Sequence, residues 1–347
     1  MKRILGKWNS LKWRIRVVRN SVEAKLTHKT KLLAVFDPSI ESDNMGDAII
    51  YRYGNSVLRS IFYECDHLRV PTHMMPEDVT LKELAKYRYK IVCGTNLITP
   101  HIEKHSIWHF PSDLNGCTNA ITLAVGMEYY SDDVSKASCT TYKNLLSHSG
   151  IHSVRDRYTE KKFHEMGIHN VIYTGCVTLW DMTPEKCAAI PKTKAHNVIA
   201  TITDYSRDPE NDRKLLETLL DHYESVYVWI QGKYDLEYLQ SLTDIQKIKP
   251  VARDLDSFEA ILNNGDIDYV GTRLHAGIFA INHGVRSIIV SIDNRAREMG
   301  TDTNLPVIER EELAEKLGDM IETDFTTVLN IPWDNIYRWK QQFKKVR

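Results

Sequence analysis

The chain has 347 residues, a formal net charge of −1, and 42% hydrophobic and 26% charged residues. This length suits two domains, the composition supplies a sizeable core, and the near-zero net charge gives no basis for nucleic-acid binding. The six cysteines are scattered without a CxxC pair, which argues against a zinc site or disulfide framework. The apolar runs fall short of the roughly 18 residues of a membrane span, and the N-terminus lacks the apolar core of a signal peptide. We therefore expect a cytoplasmic protein.

The first 30 residues form a segment with its own character. Seven of residues 1–20 are Lys or Arg and none is acidic, while apolar residues from Ile4 to Val22 recur at spacings of three and four. This pattern predicts a basic amphipathic helix, which would contact the inner face of the membrane through residues 1–22. The alternative is that its apolar stripe packs on its own domain or on a second subunit of a homo-oligomer.

The rest of the chain alternates short apolar runs with helical patterns. In the first half, the predicted strands are 31–36, 89–93, 121–125, 151–154 and 171–173, and the predicted helices are 48–62, 138–148 and 157–166. A stretch rich in Pro and Lys, 183–196, predicts a linker. In the second half, the predicted strands are 198–202, 226–230, 267–270 and 287–292, and the predicted helices are 212–222, 257–262 and 309–321.

This alternation predicts an α/β protein with parallel sheets covered on both faces. We expect two Rossmann-like domains, 31–182 and 197–325, whose sheets face each other across a cleft in a glycosyltransferase-B-like arrangement. The C-terminal segment 326–347 is predicted to cross back onto the first domain. The first strand–loop–helix lacks the GxGxxG fingerprint, so a nicotinamide cofactor is disfavoured.

Polar residues follow several of these strands, at the sheet edge where parallel α/β proteins bind ligands. After the first strand, Gly46 permits close backbone approach, and Asn44 and Asp47 lie beside a helix N-terminus. Asp47 either caps this helix or takes part in catalysis. Asn96 ends the second predicted strand, where it would bind a ligand or cap the next helix, and Arg155 follows the strand 151–154.

The segment from Gly271 to Arg297 carries the densest set of candidate groups. Arg273 and His275 lie at a strand-to-helix turn, where a helix N-terminus favours anions and His can move protons near neutral pH. Arg295 and Arg297 follow the next strand, so three guanidinium groups could converge on one anion. Alternatively, Arg273 caps its helix or pairs with Asp266 or Asp268, and His275 is a buried structural residue.

Three histidines recur at a spacing of four: His101, His105 and His109. On a helix they would share a face and could bind metal, or they could belong to a loop over a sugar site. Because there is no HExxH motif, an exposed structural helix is the simpler interpretation, and we predict no metal site.

Four motifs in this order resemble those of the polysaccharide pyruvyl transferase family. They are Asn44-Met45-Gly46-Asp47, Cys93-Gly94-Thr95-Asn96, Ser153-Val154-Arg155-Asp156, and the segment Gly271–Arg297 with its Arg-Leu-His. The resemblance extends over roughly residues 31–325. It departs from the family at two places, since only Gly94 stands where relatives often carry two or three glycines, and Cys176 replaces a common Asp.

The resemblance implies a donor, phosphoenolpyruvate, and a product, a pyruvate ketal on two hydroxyls of a sugar or lipid-linked oligosaccharide. No cofactor or metal is required. A donor with phosphate and carboxylate groups needs cations, so we assign Arg273, Arg155, Arg295 and Arg297 to it. The resemblance then makes His275 the candidate general acid and Asp47 the candidate base. Asn44 and Asn96 are assigned to the acceptor.

Two other functions are compatible with the same pattern. One is a nucleotide-sugar-dependent glycosyltransferase of the glycosyltransferase-B type, which also needs Arg beside phosphates. The other is a non-catalytic, membrane-associated component of a polysaccharide assembly complex, in which the basic N-terminal helix would be the working part.

Overall fold

The structure is a computed structural model that describes residues 14–16, 18–19 and 29–343. Most of the predicted N-terminal helix lies outside these residues. Within it, the described residues are helical, and the side chains of Ile15 and Val18 are 61% and 60% exposed. In the part of the chain that the structure describes, no helix is both long and apolar enough to span a membrane.

The chain divides into two compact units. The first comprises the described residues of Met1–Ser42, Tyr51–Val177 and Pro332–Arg347, and the second comprises Asp43–Ile50 and Thr178–Ile331. The predicted linker 183–196 therefore lies within the second unit, where it contains the helix Pro184–Ala188 with a buried Cys187. The C-terminal helix Trp333–Gln341 belongs to the first unit, and its Trp339 indole donates to the carbonyl of Thr122.

The first unit is built on parallel strands. They are β1 (Lys29–Asp37), β2 (Asp66–Pro71), β3 (Tyr87–Cys93), β4 (Ile121–Leu123), β5 (His152–Val154) and β6 (Val171–Tyr173). The first four form a sheet in the order β2-β1-β3-β4, and β5 pairs with β6. A parallel bridge between Val125 and Val154 links the two groups of strands. The helices are Met45–Ile61, which begins in the second unit, Asp78–Leu84, Lys136–Leu145 and Arg157–Glu165.

The second unit contains one six-stranded parallel sheet in the order β12-β11-β10-β7-β8-β9. Its strands are β7 (Asn197–Thr201), β8 (Ser225–Trp229), β9 (Lys249–Val251), β10 (Ile267–Gly271), β11 (Ser287–Ser291) and β12 (Val307–Glu309). The main helices are Pro209–His222, Asp235–Leu242, Leu255–Asn263, Leu274–Asn282, Asn294–Thr303 and Leu313–Glu322. Parallel sheets with intervening helices in both units confirm the predicted α/β class.

Burial explains the continuous apolar runs of the central strands. Residues Leu33–Phe36 of β1 are fully buried, and every residue of β10 and of β11 is buried. A strand covered by helices on both faces has no solvent side, so its sequence need not alternate. Ligands of such sheets bind outside the carboxyl ends of the strands where the strand order reverses. Those points lie between β1 and β3 in the first unit and between β7 and β10 in the second.

Several predicted elements differ from the structure. Residues 101–118, all of them described, form turns and no helix, so the predicted shared face of the three histidines is wrong. In place of the predicted helix 309–321, Val307–Glu309 forms the edge strand β12, Arg310–Glu312 forms a 3-10 turn, and the α-helix begins at Leu313. The strands β2 and β9 were not predicted; β9 contains Pro250, and an edge strand tolerates a residue without an N–H.

Candidate functional site

Arg273 lies where the strand order of the second sheet reverses. Gly271 ends β10 opposite Thr201, the last residue of β7, and a Cβ on Gly271 would lie 2.4 Å from the Thr201 hydroxyl oxygen. Only glycine permits this approach. The Arg273 N–H donates to that hydroxyl at 3.2 Å, and Arg273 then caps the helix Leu274–Asn282. These contacts fix the backbone of Arg273 independently of its side chain.

The Arg273 guanidinium is buried and held by two carboxylates. Its Nη2 donates to Asp204 Oδ1 at 3.1 Å and to Asp235 Oδ1 at 2.5 Å, and its side chain is 2% exposed. The guanidinium also lies 4.8 Å from the centre of the Tyr205 ring. The predicted pairing of Arg273 with Asp266 or Asp268 is wrong, because Asp266 bonds to His196, and Asp268 to Arg286 and Tyr223.

Two features of the loop after β8 keep this arginine in place. Asp235 also accepts hydrogen bonds from the N–H groups of Gly232, at 2.6 Å, and Asp204, at 3.0 Å. Burial raises the pKa of the Asp235 carboxyl, and the neighbouring Arg273 opposes that shift. A Cβ on Gly232 would lie 2.2 Å from Arg273 Nη2, so the guanidinium rests on bare backbone. The Nε of Arg273 has no hydrogen-bond partner among the described residues, which leaves donor capacity for a ligand.

The Asn-Met-Gly-Asp motif lies against the same loop. Asn44 Oδ1 accepts from Gln231 Nε2 at 2.6 Å and from the Gly46 N–H at 3.0 Å. Asn44 also forms a β-bridge with Gly232, the residue beneath Arg273. Asp47 lies in the first turn of the helix Met45–Ile61 and is 7% exposed. The structure thus brings the motif that contains Asn44 and Asp47 to the loop after β8, on which the Arg273 guanidinium packs.

His275, Arg295 and Arg297, the other predicted site residues of the second unit, differ in their surroundings. His275 lies in the first turn of the helix that Arg273 caps and is buried, 7% exposed. Arg295 bonds to the Asp293 carboxylate and, at 2.9 Å, to the Tyr205 hydroxyl, so Tyr205 links it to Arg273. Arg297 pairs with Glu309 at 2.7 Å. Both arginines therefore carry a carboxylate partner already.

Arg155 and Asn96 both follow strands of the first unit, β5 and β3. Arg155 follows β5, is 2% exposed and bonds to Asp156 at 3.3 Å, but its Nη1 has no partner among residues that the structure describes. A Cβ on Gly126 would lie 2.2 Å from Arg155 Nη2, and the Gly126 N–H donates to Thr95. Asn96 adjoins this contact, and its buried Oδ1 is also unpaired within the described chain. Unpaired buried polar atoms are rare and favour a ligand.

Two of the three histidines contact carboxylate or hydroxyl groups of residues 128–133. His105 pairs with Glu128 at 2.8 Å, and His101 lies 3.3 Å from both Ser131 and Asp133. Across the described ranges, no group of three or more His, Cys, Asp and Glu side chains is arranged to hold a metal ion.

Sequence reasoning missed the residues that hold Arg273. These residues follow the carboxyl ends of β7 and β8: Asp204, Gly232 and Asp235. Only this position after a strand could have indicated from the sequence that they belong to the site. Gln231 also follows β8, but its contact with Asn44 joins residues 187 positions apart, which no local pattern encodes.

Buried arginines that follow the strands of parallel sheets, as Arg155 and Arg273 do, are typical of an α/β enzyme that acts on an anionic substrate. The sequence model of the polysaccharide pyruvyl transferase family matches residues 44–294. The chain belongs to this family, whose members are transferases of polysaccharide biosynthesis. The match begins at Asn44 and includes Arg155, Arg273 and His275.

No curated protein matches the chain. Among solved structures, the chain is similar to that titled "S. aureus MnaA-UDP co-structure", with 10% sequence identity and a TM-score of 0.48. The similarity covers 91% of this chain and 97% of that one.

Proposed function

We propose that this protein transfers the pyruvate unit of phosphoenolpyruvate to two hydroxyls of a sugar and forms a pyruvate ketal. Besides family membership, one observation carries the proposal. Arg273 is buried at the reversal point of a parallel sheet, fixed by Asp204 and Asp235, with His275 in the next helical turn. A preorganised cation beside a helix N-terminus suits a small substrate that carries both phosphate and carboxylate groups.

The reaction defines what the side chains must do. The methylene carbon of phosphoenolpyruvate gains a proton and becomes a methyl group, the carbon that bears the phosphate forms bonds to two sugar oxygens, and inorganic phosphate leaves. Of the two hydroxyl protons, one balances the new methyl group and the other leaves with phosphate. We assign proton donation to His275 and acceptance of a hydroxyl proton to Asp47, with Asn44 beside the acceptor.

The remaining assignments follow from the same proposal. Arg273 and Arg155 bind donor anions through Nε and Nη1, which have no hydrogen-bond partner among the described residues, whereas Arg295 and Arg297 are the weaker candidates. Asn96 bonds to the acceptor, which is a sugar or a lipid-linked oligosaccharide. The reaction requires no cofactor and takes place in the cytoplasm. Membrane contact through residues 1–22 concerns residues that the structure mostly does not describe.

The first test is a melting-temperature shift with phosphoenolpyruvate, beside a panel of nucleotide sugars, on wild type and Arg273→Lys. A ligand that binds only the folded protein raises the melting temperature by mass action. Arg286→Lys is the matched control. Arg286 is as buried as Arg273 and lies in the same unit, but it directly precedes β11 and pairs with Asp268, which is not a residue of the proposed site. We expect phosphoenolpyruvate to stabilise wild type and Arg286→Lys relative to their own ligand-free states, and not Arg273→Lys.

Three results would contradict the proposal. Stabilisation by a nucleotide sugar alone would favour glycosyl transfer, and no response to any ligand would favour the non-catalytic alternative. An equal response of the two lysine variants would place the donor away from Arg273. Phosphate release with wild type, His275→Gln and Asp47→Asn then tests the proton-transfer roles, since turnover unchanged in either variant removes its assignment.

A further inference from the structure

A cavity of about 570 Å³ lies in the second unit, at the carboxyl edge of its sheet. This volume falls within the roughly 300–1,000 Å³ typical of ligand pockets. The described lining consists of residues 206–209, which follow β7, residues 291–294, at the end of β11, and Arg297, Arg310 and Glu311. Arg273, His275 and Asp47 belong to the same unit, so the cavity and these candidate groups share one compact body.

A continuous chain of contacts joins this cavity to Arg273. The Arg273 guanidinium lies 4.8 Å from the centre of the Tyr205 ring, and the Tyr205 hydroxyl accepts a hydrogen bond from Arg295 Nη2 at 2.9 Å. Arg295 in turn donates through Nε, at 2.9 Å, to Asp293, which lines the cavity. Tyr205 also directly precedes Ser206 of the lining, and it is 57% exposed. An exposed aromatic ring therefore links the proposed donor site to the cavity.

Hydrogen bonds within the second unit fix the walls of this cavity. Asp208 caps the helix Pro209–His222, which holds the segment after β7 in place. Arg310 donates to the Ser206 carbonyl at 2.8 Å and to both carboxylate oxygens of Asp212 at 2.6 Å. The segment after β12 is thereby tied to the segment after β7, and the cavity exists before a ligand binds.

Charged groups of both signs occur together around the cavity. Its described lining contains three arginines and three carboxylates: Arg207, Arg297, Arg310, Asp208, Asp293 and Glu311. Beyond the lining, Glu309 and Asp212 pair with two of these arginines, and Arg295 pairs with Asp293. Counted with these partners, the carboxylates are not outnumbered by the guanidinium groups. A phosphate group would therefore gain little here, whereas a hydroxyl can accept from a guanidinium and donate to a carboxylate.

We propose that this cavity binds a sugar unit of the acceptor saccharide, next to the unit that receives the ketal. The hydroxyls of a pyranose both donate and accept, as the mixed lining requires, and its apolar C–H face can pack on the exposed ring of Tyr205. A nucleotide would instead bring its phosphates towards Asp208, Asp293 and Glu311. This inference rests on the proposed function, because it takes the acceptor to be longer than one sugar.

The test measures dissociation constants by ligand-observed NMR for cellobiose, β-1,4-galactobiose and α-1,2-mannobiose. Glu311→Ala removes an exposed carboxylate of the lining, and Asn294→Trp adds a large side chain to it. Glu315→Ala is the matched control, because Glu315 is an exposed carboxylate of the same unit outside the described lining. We expect Glu311→Ala to weaken the best disaccharide about tenfold through the loss of one hydrogen bond to a charged group. Asn294→Trp should abolish binding, and Glu315→Ala should bind as wild type does.

Equal affinities of Glu311→Ala and Glu315→Ala would overturn the inference, and so would a wild type that binds none of the disaccharides. Binding of pyrophosphate that is lost in Asn294→Trp would also overturn it, in favour of an anion site. The phosphoenolpyruvate melting shift separates the two proposals. Its absence in a wild type that binds a disaccharide through Glu311 contradicts the donor alone, whereas its presence without such binding contradicts the cavity alone.

Discussion

Replacing Gly232 with Ala tests whether bare backbone beneath Arg273 is needed for the site. The new Cβ would lie 2.2 Å from Arg273 Nη2, and 2.9 and 3.1 Å from the carboxylate oxygens of Asp235 and Asp204. Real contacts of this kind are not closer than 3.0 Å, so the guanidinium must move by nearly 1 Å. Since the two carboxylates and the arginine meet at that point, the movement weakens both charge-assisted hydrogen bonds.

The expected magnitude follows from those two bonds. Hydrogen bonds to charged groups contribute about 1.5–3 kcal/mol each, and partial loss of two should cost about 2–4 kcal/mol of unfolding free energy. For a domain of this size, that corresponds to a melting temperature lower by on the order of 5–10 °C. A displacement of about 1 Å in a substrate-binding group lowers the turnover rate by roughly 100-fold.

Calorimetry and phosphate release would measure the two effects, with Gly318→Ala as the control. Gly318 lies in the helix Leu313–Glu322, where an added Cβ meets His222 at 3.2 Å and no residue of the site. The reasoning would be refuted if Gly232→Ala, like this control, had a melting temperature within 1 °C of wild type and an activity within twofold of it. The packing of Arg273 on Gly232 would then not be needed for stability or turnover.

Three further predictions concern the first unit. Lys90 is buried and donates to the Thr118 carbonyl; burial lowers its pKa to about 8, so its charge costs about 3 kcal/mol below that pH. Lys90→Met should raise the melting temperature at pH 7, less so as pH rises towards 10, and an unchanged value would contradict this. Burial lowers the pKa of His152 to about 4, so between pH 6.5 and pH 4 protons bind the unfolded chain in preference to the folded protein. The free energy of unfolding should therefore fall by about 3 kcal/mol over this range. In urea titrations, the free energy of unfolding of His152→Gln should depend less on pH than that of wild type. Gly126→Ala should displace Arg155, whose Nη2 lies 2.2 Å from the added Cβ, and raise the KM for phosphoenolpyruvate about tenfold or more; an unchanged KM would remove Arg155 from the donor site.

The parallel architecture could be predicted from the sequence because its cause is local. Strands buried on both faces are short apolar runs, and each run ends where polar or glycine residues begin. The elements Val171–Tyr173, Leu255–Asn263 and Ile267–Gly271 lie where the runs predict them, within a few residues. The histidine segment failed because a spacing of four does not by itself form a helix. Residues 101–118 instead form turns, with His105 bonded to Glu128.

By itself the sequence determined which residues stand at the carboxyl ends of strands, and hence that Arg273, His275, Asn44 and Arg155 are candidates for a site. Only the tertiary structure decided their partners. Arg273 meets Asp204 and Asp235, which are 69 and 38 positions away, and Asn44 meets Gln231 across 187 positions. Such pairs depend on the order of strands in the sheet. The periodicity of apolar residues predicts only the local helix or strand, and so it cannot predict these partners.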